Sequence, residues 1–144
     1  MKINPLNEVL YRLKLAEHYL KDANEAYKRG DFRGTVASSQ LSVENSAKAV
    51  IAFFRVPSWS HNPSPELREL LANIPLEVKS LAEKLAEMAE TLAPEHGRAT
   101  YGEPIRGLTP WEIYNREEAE EALNYAKKSL EYAHIILRKL GVKY

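Results

Sequence analysis

The sequence has no cysteine, and only six glycines, two methionines, two tryptophans and three phenylalanines among 144 residues. Without cysteine there are no disulfides, no thiolate metal sites and no thiol nucleophile, and a cytoplasmic location is expected. An excess of either charge is also missing: twenty Lys and Arg balance twenty Asp and Glu. Net charge therefore predicts neither a nucleic-acid nor a membrane partner, and a charged surface would have to arise by local segregation. No run approaches the ~18 apolar residues of a membrane span, and the residues from Met1 onward lack the apolar segment of a signal peptide. GxGxxG, Walker-type, HExxH and EF-hand patterns are all absent, which removes most functions borne by short motifs. At this length, a single domain over residues 1–144 is expected, with enough chain to bury a core.

What is present is helical pattern. Residues 36–54, VASSQLSVENSAKAVIAFF, contain no Gly or Pro. Apolar residues cover most of the circumference of a helix drawn through them, so this helix should lie among others. Set into it are Gln40, Glu44, Asn45 and Lys48. Glu44 precedes Lys48 by four positions, the favourable order for a helical ion pair; the alternative is that one or both line a polar pocket between helices, where burial demands hydrogen-bonded partners.

On either side the periodicity predicts further helices. The first runs from about Pro5 to Arg29, capped by Asn4, with Leu6, Leu10, Leu13, Ala16, Leu20, Ala23 and Tyr27 on one face. Gly30 stops it and Asp31 caps the second, which spans about Phe32–Phe54. Residues 55–65 are irregular. A short third helix follows over about 65–72, with Ser64 as its cap, and a fourth over roughly 75–93, striped by Val78, Leu81, Ala82, Leu85, Met88, Ala89 and Leu92. Residues 94–110 read as one long loop stopped by Pro94, with three Gly and three Pro, longer than most compact domains carry without a use for it. Thr109, Pro110 and Glu112 form a capping-box pattern. The last helix spans about Arg116 to Leu140, capped by Asn115. The expected architecture is an all-α, up-and-down bundle of about five helices, three or four of them long.

The four histidines do not pair at helical spacing, so no metal site and no cofactor are expected; a metal would require distant segments to bring them together. His18 and His134 sit mid-helix beside apolar positions and are expected to be half-buried packing residues. His61 and His96 lie in irregular segments, where functional side chains concentrate.

Several stretches together resemble the HEPN (higher eukaryotes and prokaryotes nucleotide-binding) domain family over nearly the whole chain. They are LAEHYLKDANEAYKRGDF, SSQLSVENSAKAVIAFF, SHNPSPELRELL and RATYGEP. Gln40, Glu44, Lys48 and Ala49 resemble that family's Gln–x–x–x–Glu–x–x–x–Lys–Ala pattern, His61 ahead of Leu67, Leu70 and Leu71 resembles its histidine before a leucine-rich helix, and Arg98, Tyr101 and Pro104 loosely match an Arg–Tyr–Pro element. The resemblance implies a helical bundle that commonly forms homodimers. It also implies either a nucleotide- or RNA-binding module that partners a minimal nucleotidyltransferase in a toxin–antitoxin-like pair, or a metal-independent endoribonuclease. The hallmark of the ribonucleases is an Arg, four to six residues, then a His. Arg55 and His61 have that spacing across a Pro-containing loop; at the later position where the motif usually lies, His96 precedes Arg98, the reverse order.

The candidate site residues that follow are His61 and Arg98 for catalysis, and Arg98, Tyr101, Arg106, Arg55 and Lys48 for ligand or phosphate binding. Trp59 and Tyr101 are the stacking candidates, and Gly97 and Gly102 the places where backbone approaches closely. A purely structural role, with Trp111 and Tyr114 as anchors of a dimer or partner contact, is the remaining alternative.

Overall fold

Asn4, Asp31 and Asn115 each cap a long helix, as their positions ahead of apolar-periodic segments require. Their side-chain oxygens accept hydrogen bonds from the backbone N–H groups of Leu6 (3.0 Å), Gly34 (2.8 Å) and Glu118 (2.8 Å). In the computed structural model, which describes residues 4–144, these caps open α1 (Pro5–Lys28), α2 (Phe32–Phe54) and α7 (Arg116–Lys139). Between α2 and α7 lie α3 (Ser64–Glu69), a 3-10 turn at Leu71–Asn73, α4 (Leu76–Leu92), α5 (Glu95–Tyr101), a second 3-10 turn at Pro104–Arg106 and α6 (Pro110–Ile113). The chain is an all-α bundle, with no strand among the described residues beyond an isolated bridge between Glu103 and Leu108.

The bundle is built around α2. It packs against α1 and α7 along its length and also touches α3, α4, α5 and α6. Every residue from Ser42 to Ala52 is buried, so the nearly all-round apolar pattern of 36–54 does correspond to a central helix. Apolar side chains such as Val43, Val50 and Ile51 are wholly inaccessible, and each contributes about 1.5–3 kcal/mol through removal from water. Against α2 lie Val9, Leu13, Ala16 and Ala23 of α1 and Ala119, Ala122, Ala126, Leu130, Ala133 and Leu137 of α7. The α1 face is rotated slightly from expectation: Val9 is buried, whereas Leu6 is exposed. No helix is long and apolar enough to cross a membrane among the described residues.

Two expectations need correction. Residues 94–110 are not one loop, because Ala93 and Pro94 keep helical backbone angles and Glu95–Tyr101 continue as α5. Pro94 ends α4, since it has no N–H to donate, yet its fixed φ suits the start of the next helix. The third helix begins at Ser64 rather than being capped by it; the Asn62 side-chain oxygen takes the Ser64 N–H (3.2 Å) and hydroxyl (2.7 Å) instead.

Candidate active site

On α2, Gln40, Glu44 and Lys48 follow one another at four-residue steps, so their side chains stack along one face of the helix. All three are buried. Lys48 Nζ donates to Glu44 Oε2 at 3.2 Å, and Gln40 Nε2 donates to Glu44 Oε1 at 3.1 Å. The ion pair and the polar pocket considered from sequence are thus one structure. Glu44 is a buried carboxylate held by a cation on one oxygen and by neutral donors on the other, which meets the cost of burying its charge.

Two histidines complete this face from segments far away in sequence. His61 comes from the irregular stretch after α2, where the Ser58 N–H donates to Glu66 (3.1 Å) and the Ser60 hydroxyl folds the turn by accepting from the Asn62 backbone N–H and donating to the Asn62 carbonyl. His96 comes from α5, which lies against α2. His61 Nδ1 is 3.0 Å from Glu44 Oε1, His96 Nδ1 is 3.1 Å from Gln40 Oε1, and the two imidazoles stack with centroids 3.5 Å apart and planes 17° from parallel.

The proton positions in this chain follow from Glu44. A carboxylate only accepts, so the Gln40 amide must turn its NH2 toward Glu44 and its oxygen toward His96. That oxygen also only accepts, so His96 Nδ1 carries a hydrogen. His61 Nδ1, facing Glu44 Oε1, carries one for the same reason. In their neutral forms both rings therefore hold their lone pair on Nε2, with Nδ1 fixed by a partner. The His61 side chain is 53% exposed, so the pair is open to solvent while its carboxylate root is not. Burial, then the neighbouring His61, lowers the pKa of His96 below the usual histidine value.

The other candidates are distributed differently. Arg98 lies two residues, about 200° of helix, beyond His96, and its guanidinium turns away to Glu95 (2.9 Å) and Glu103 (3.2 Å) and over the Tyr114 ring. The structure does not bring Arg98 and His61 into contact. Arg55 bridges Glu69 (2.8 Å) and Glu66 (3.5 Å), and Arg106 pairs with Glu103 at 2.7 Å. Each expected phosphate-binding cation, Lys48 included, has a carboxylate partner, so the zero net charge is a local balance as well as a global one. Trp59, Tyr101 and Trp111 are largely exposed. Tyr114 is instead half-buried; its hydroxyl donates to Glu95, and burial, followed by that contact, raises its pKa strongly. Gly102, at φ +72°, admits no side chain, because a Cβ would lie 2.2 Å from the Leu108 carbonyl oxygen. Gly97 has open space around it. His134 is half-buried, as expected, and meets the Tyr144 hydroxyl, but His18 is exposed rather than half-buried.

Sequence reasoning singled out His61 and noted His96, yet it did not join them. The usable signal was the run Gln40–Glu44–Lys48: three polar side chains on one face of a helix otherwise destined for burial require polar partners there.

A family model described as "HEPN domain" matches residues 9–136. A Methanocaldococcus jannaschii protein named "Putative toxin MJ1304" is 31% identical over 137 residues, covering 91% of this chain and 90% of that protein. The crystal structure of TT1696 from Thermus thermophilus superposes with a TM-score of 0.69 at 27% identity, covering 91% of this chain and 99% of that one.

Proposed function

Because the chain belongs to the HEPN domain family, we propose that it is the RNA-directed module of a toxin–antitoxin pair and engages RNA at the stacked histidines. The observation that carries this reading is the anchored pair itself: His61 and His96 are held by Glu44 and Gln40 through Nδ1, which leaves Nε2 on each ring for a ligand. A lone-pair nitrogen accepts from a ribose 2′-OH, the group that separates RNA from DNA. Exposed Trp59, two residues before His61, and Tyr101, on the same short helix as His96, offer ring faces on which unpaired bases stack. The similarity to a protein named as a toxin supports the biological setting. A minimal nucleotidyltransferase is the partner this reading calls for, and exposed Ile105 and Trp111 offer apolar anchors for it or for a second copy of the chain.

Cleavage is the second reading, favoured by the presence of two imidazoles rather than one. One Nε2 would take the 2′-OH proton while that oxygen attacks phosphorus. A second, protonated imidazole would give its proton to the leaving 5′-oxygen, without a metal. His96, kept neutral by burial, suits the base.

The test is fluorescence anisotropy with a labelled single-stranded RNA in EDTA, run beside the DNA of the same sequence. RNA should bind more tightly, and His61→Ala and His96→Ala should each weaken it by up to about tenfold, the ~1.4 kcal/mol upper range of one neutral hydrogen bond. Equal affinity in both variants would remove the histidine pair from the account. Gel analysis of the same mixtures separates binding from cutting.

A further inference from the structure

The geometry points to a binding site for one first-row transition-metal dication, of the Zn2+ class, formed by Glu44, His61 and His96. The three residues each offer a donor atom, and the three donors lie within 4.8 Å of one another. A tetrahedral ion with bonds of about 2.0–2.1 Å needs its ligand atoms roughly 3.3 Å apart. Glu44 Oε1 and His61 Nδ1 already lie 3.0 Å apart, joined in the metal-free protein by the Nδ1 hydrogen, and the stacked imidazoles place the second ring directly alongside. Rotation of the stacked rings, movement of the His61 hydrogen from Nδ1 to Nε2 and loss of the Gln40 contact to Glu44 would close the triad around an ion.

Two neutral imidazoles and one carboxylate are the donor set of zinc, cobalt and nickel, not of magnesium or calcium, which take oxygen donors. The half-exposed His61 ring provides an entry path and leaves the fourth coordination position to water. Glu44 keeps a firm second contact, since Lys48 stays on Oε2 at 3.2 Å. That cation also repels the ion and limits its affinity.

Such an ion would act as a blocker rather than a cofactor. A neutral imidazole has a single lone-pair nitrogen, and a ligated ring no longer has one free for a 2′-OH. The metal site itself does not rest on the RNA reading, since metal binding and RNA binding are measured separately.

The full chain, stripped with chelator and dialysed, is titrated with ZnCl2 by calorimetry and with CoCl2 by visible absorption. One Zn2+ per chain is expected, with the d–d band of four-coordinate Co2+. His61→Asn and His96→Asn should each weaken Zn2+ at least tenfold, while His18→Asn, at an exposed position outside the cluster, should not. Circular dichroism checks that the variants are folded; His61 is exposed, so its variant serves even if His96→Asn unfolds. Absence of saturable binding, or equal affinity in His61→Asn, overturns the site. RNA anisotropy in EDTA is indifferent to either outcome.

Discussion

Replacing Lys48 by Met is the most informative perturbation of the site's foundation. The Lys48 and Glu44 side chains are only 4% and 6% exposed, so neither charge is appreciably solvated by water. Removing one partner of a buried pair costs about 3–5 kcal/mol, because the remaining charge is left uncompensated. Glu44 keeps its contacts to Gln40 and His61, which places the expected loss at the lower end, about 3 kcal/mol. The double variant Lys48→Met, Glu44→Gln removes both charges and retains an acceptor for Gln40 and His61, so it should recover most of this loss and lie within about 1 kcal/mol of the parent. In urea, with a slope of ~1.5 kcal/mol/M, the single variant should move the midpoint down by about 2 M and the double variant by less than ~0.7 M. A single variant that loses under about 1 kcal/mol, or a double variant no more stable than the single, would refute the buried, mutually dependent pair.

Three further outcomes are expected. His96 has a folded-state pKa below its unfolded value of 6.5, chiefly through burial, so the unfolded chain takes up the proton first; stability should fall as pH drops below 6.5 and this slope should shrink in His96→Asn, read from urea midpoints between pH 7.5 and 5.5. Gly102→Ala places a Cβ against the Leu108 carbonyl at a positive φ and should cost at least about 2 kcal/mol in thermal or urea unfolding, whereas Gly97→Ala, with open space around it, should be neutral or stabilising. Arg98→Ala removes the tie among Glu95, Glu103 and the Tyr114 ring; it should lower stability by about 1–2 kcal/mol and leave RNA affinity within twofold at a temperature where the variant is folded.

Much of the bundle was legible in the residues because its signals are local. Asn4, Asp31 and Asn115 announce helix starts, Gly30 and Gly141 announce stops, and the stripes of α4 and α7 name their own buried faces. Pro94 misled because one residue type ends a helix and begins another, and only the short spacing of α4 and α5 shows that it does both. The site was half legible. Gln40, Glu44 and Lys48 declare a polar face by spacing, and His61 stands close by in sequence. His96 lies 56 residues beyond Gln40, and the contact depends on how α5 folds back across α2. No local pattern carries that, and none shows that Arg55, Arg98 and Arg106 each find a carboxylate.

The central claim is that Glu44 organises His61 and His96 into one unit with both Nε2 atoms free. The 15N spectrum of the histidine rings, assigned through His61→Asn and His96→Asn and recorded above pH 7.5, tests this directly. Both neutral imidazoles should appear protonated on Nδ1 and bare on Nε2, and Glu44→Leu combined with Lys48→Met, which removes both charges and the acceptor, should disturb both rings. Rings protonated on Nε2, or a Glu44 variant that leaves His96 unchanged, would contradict it.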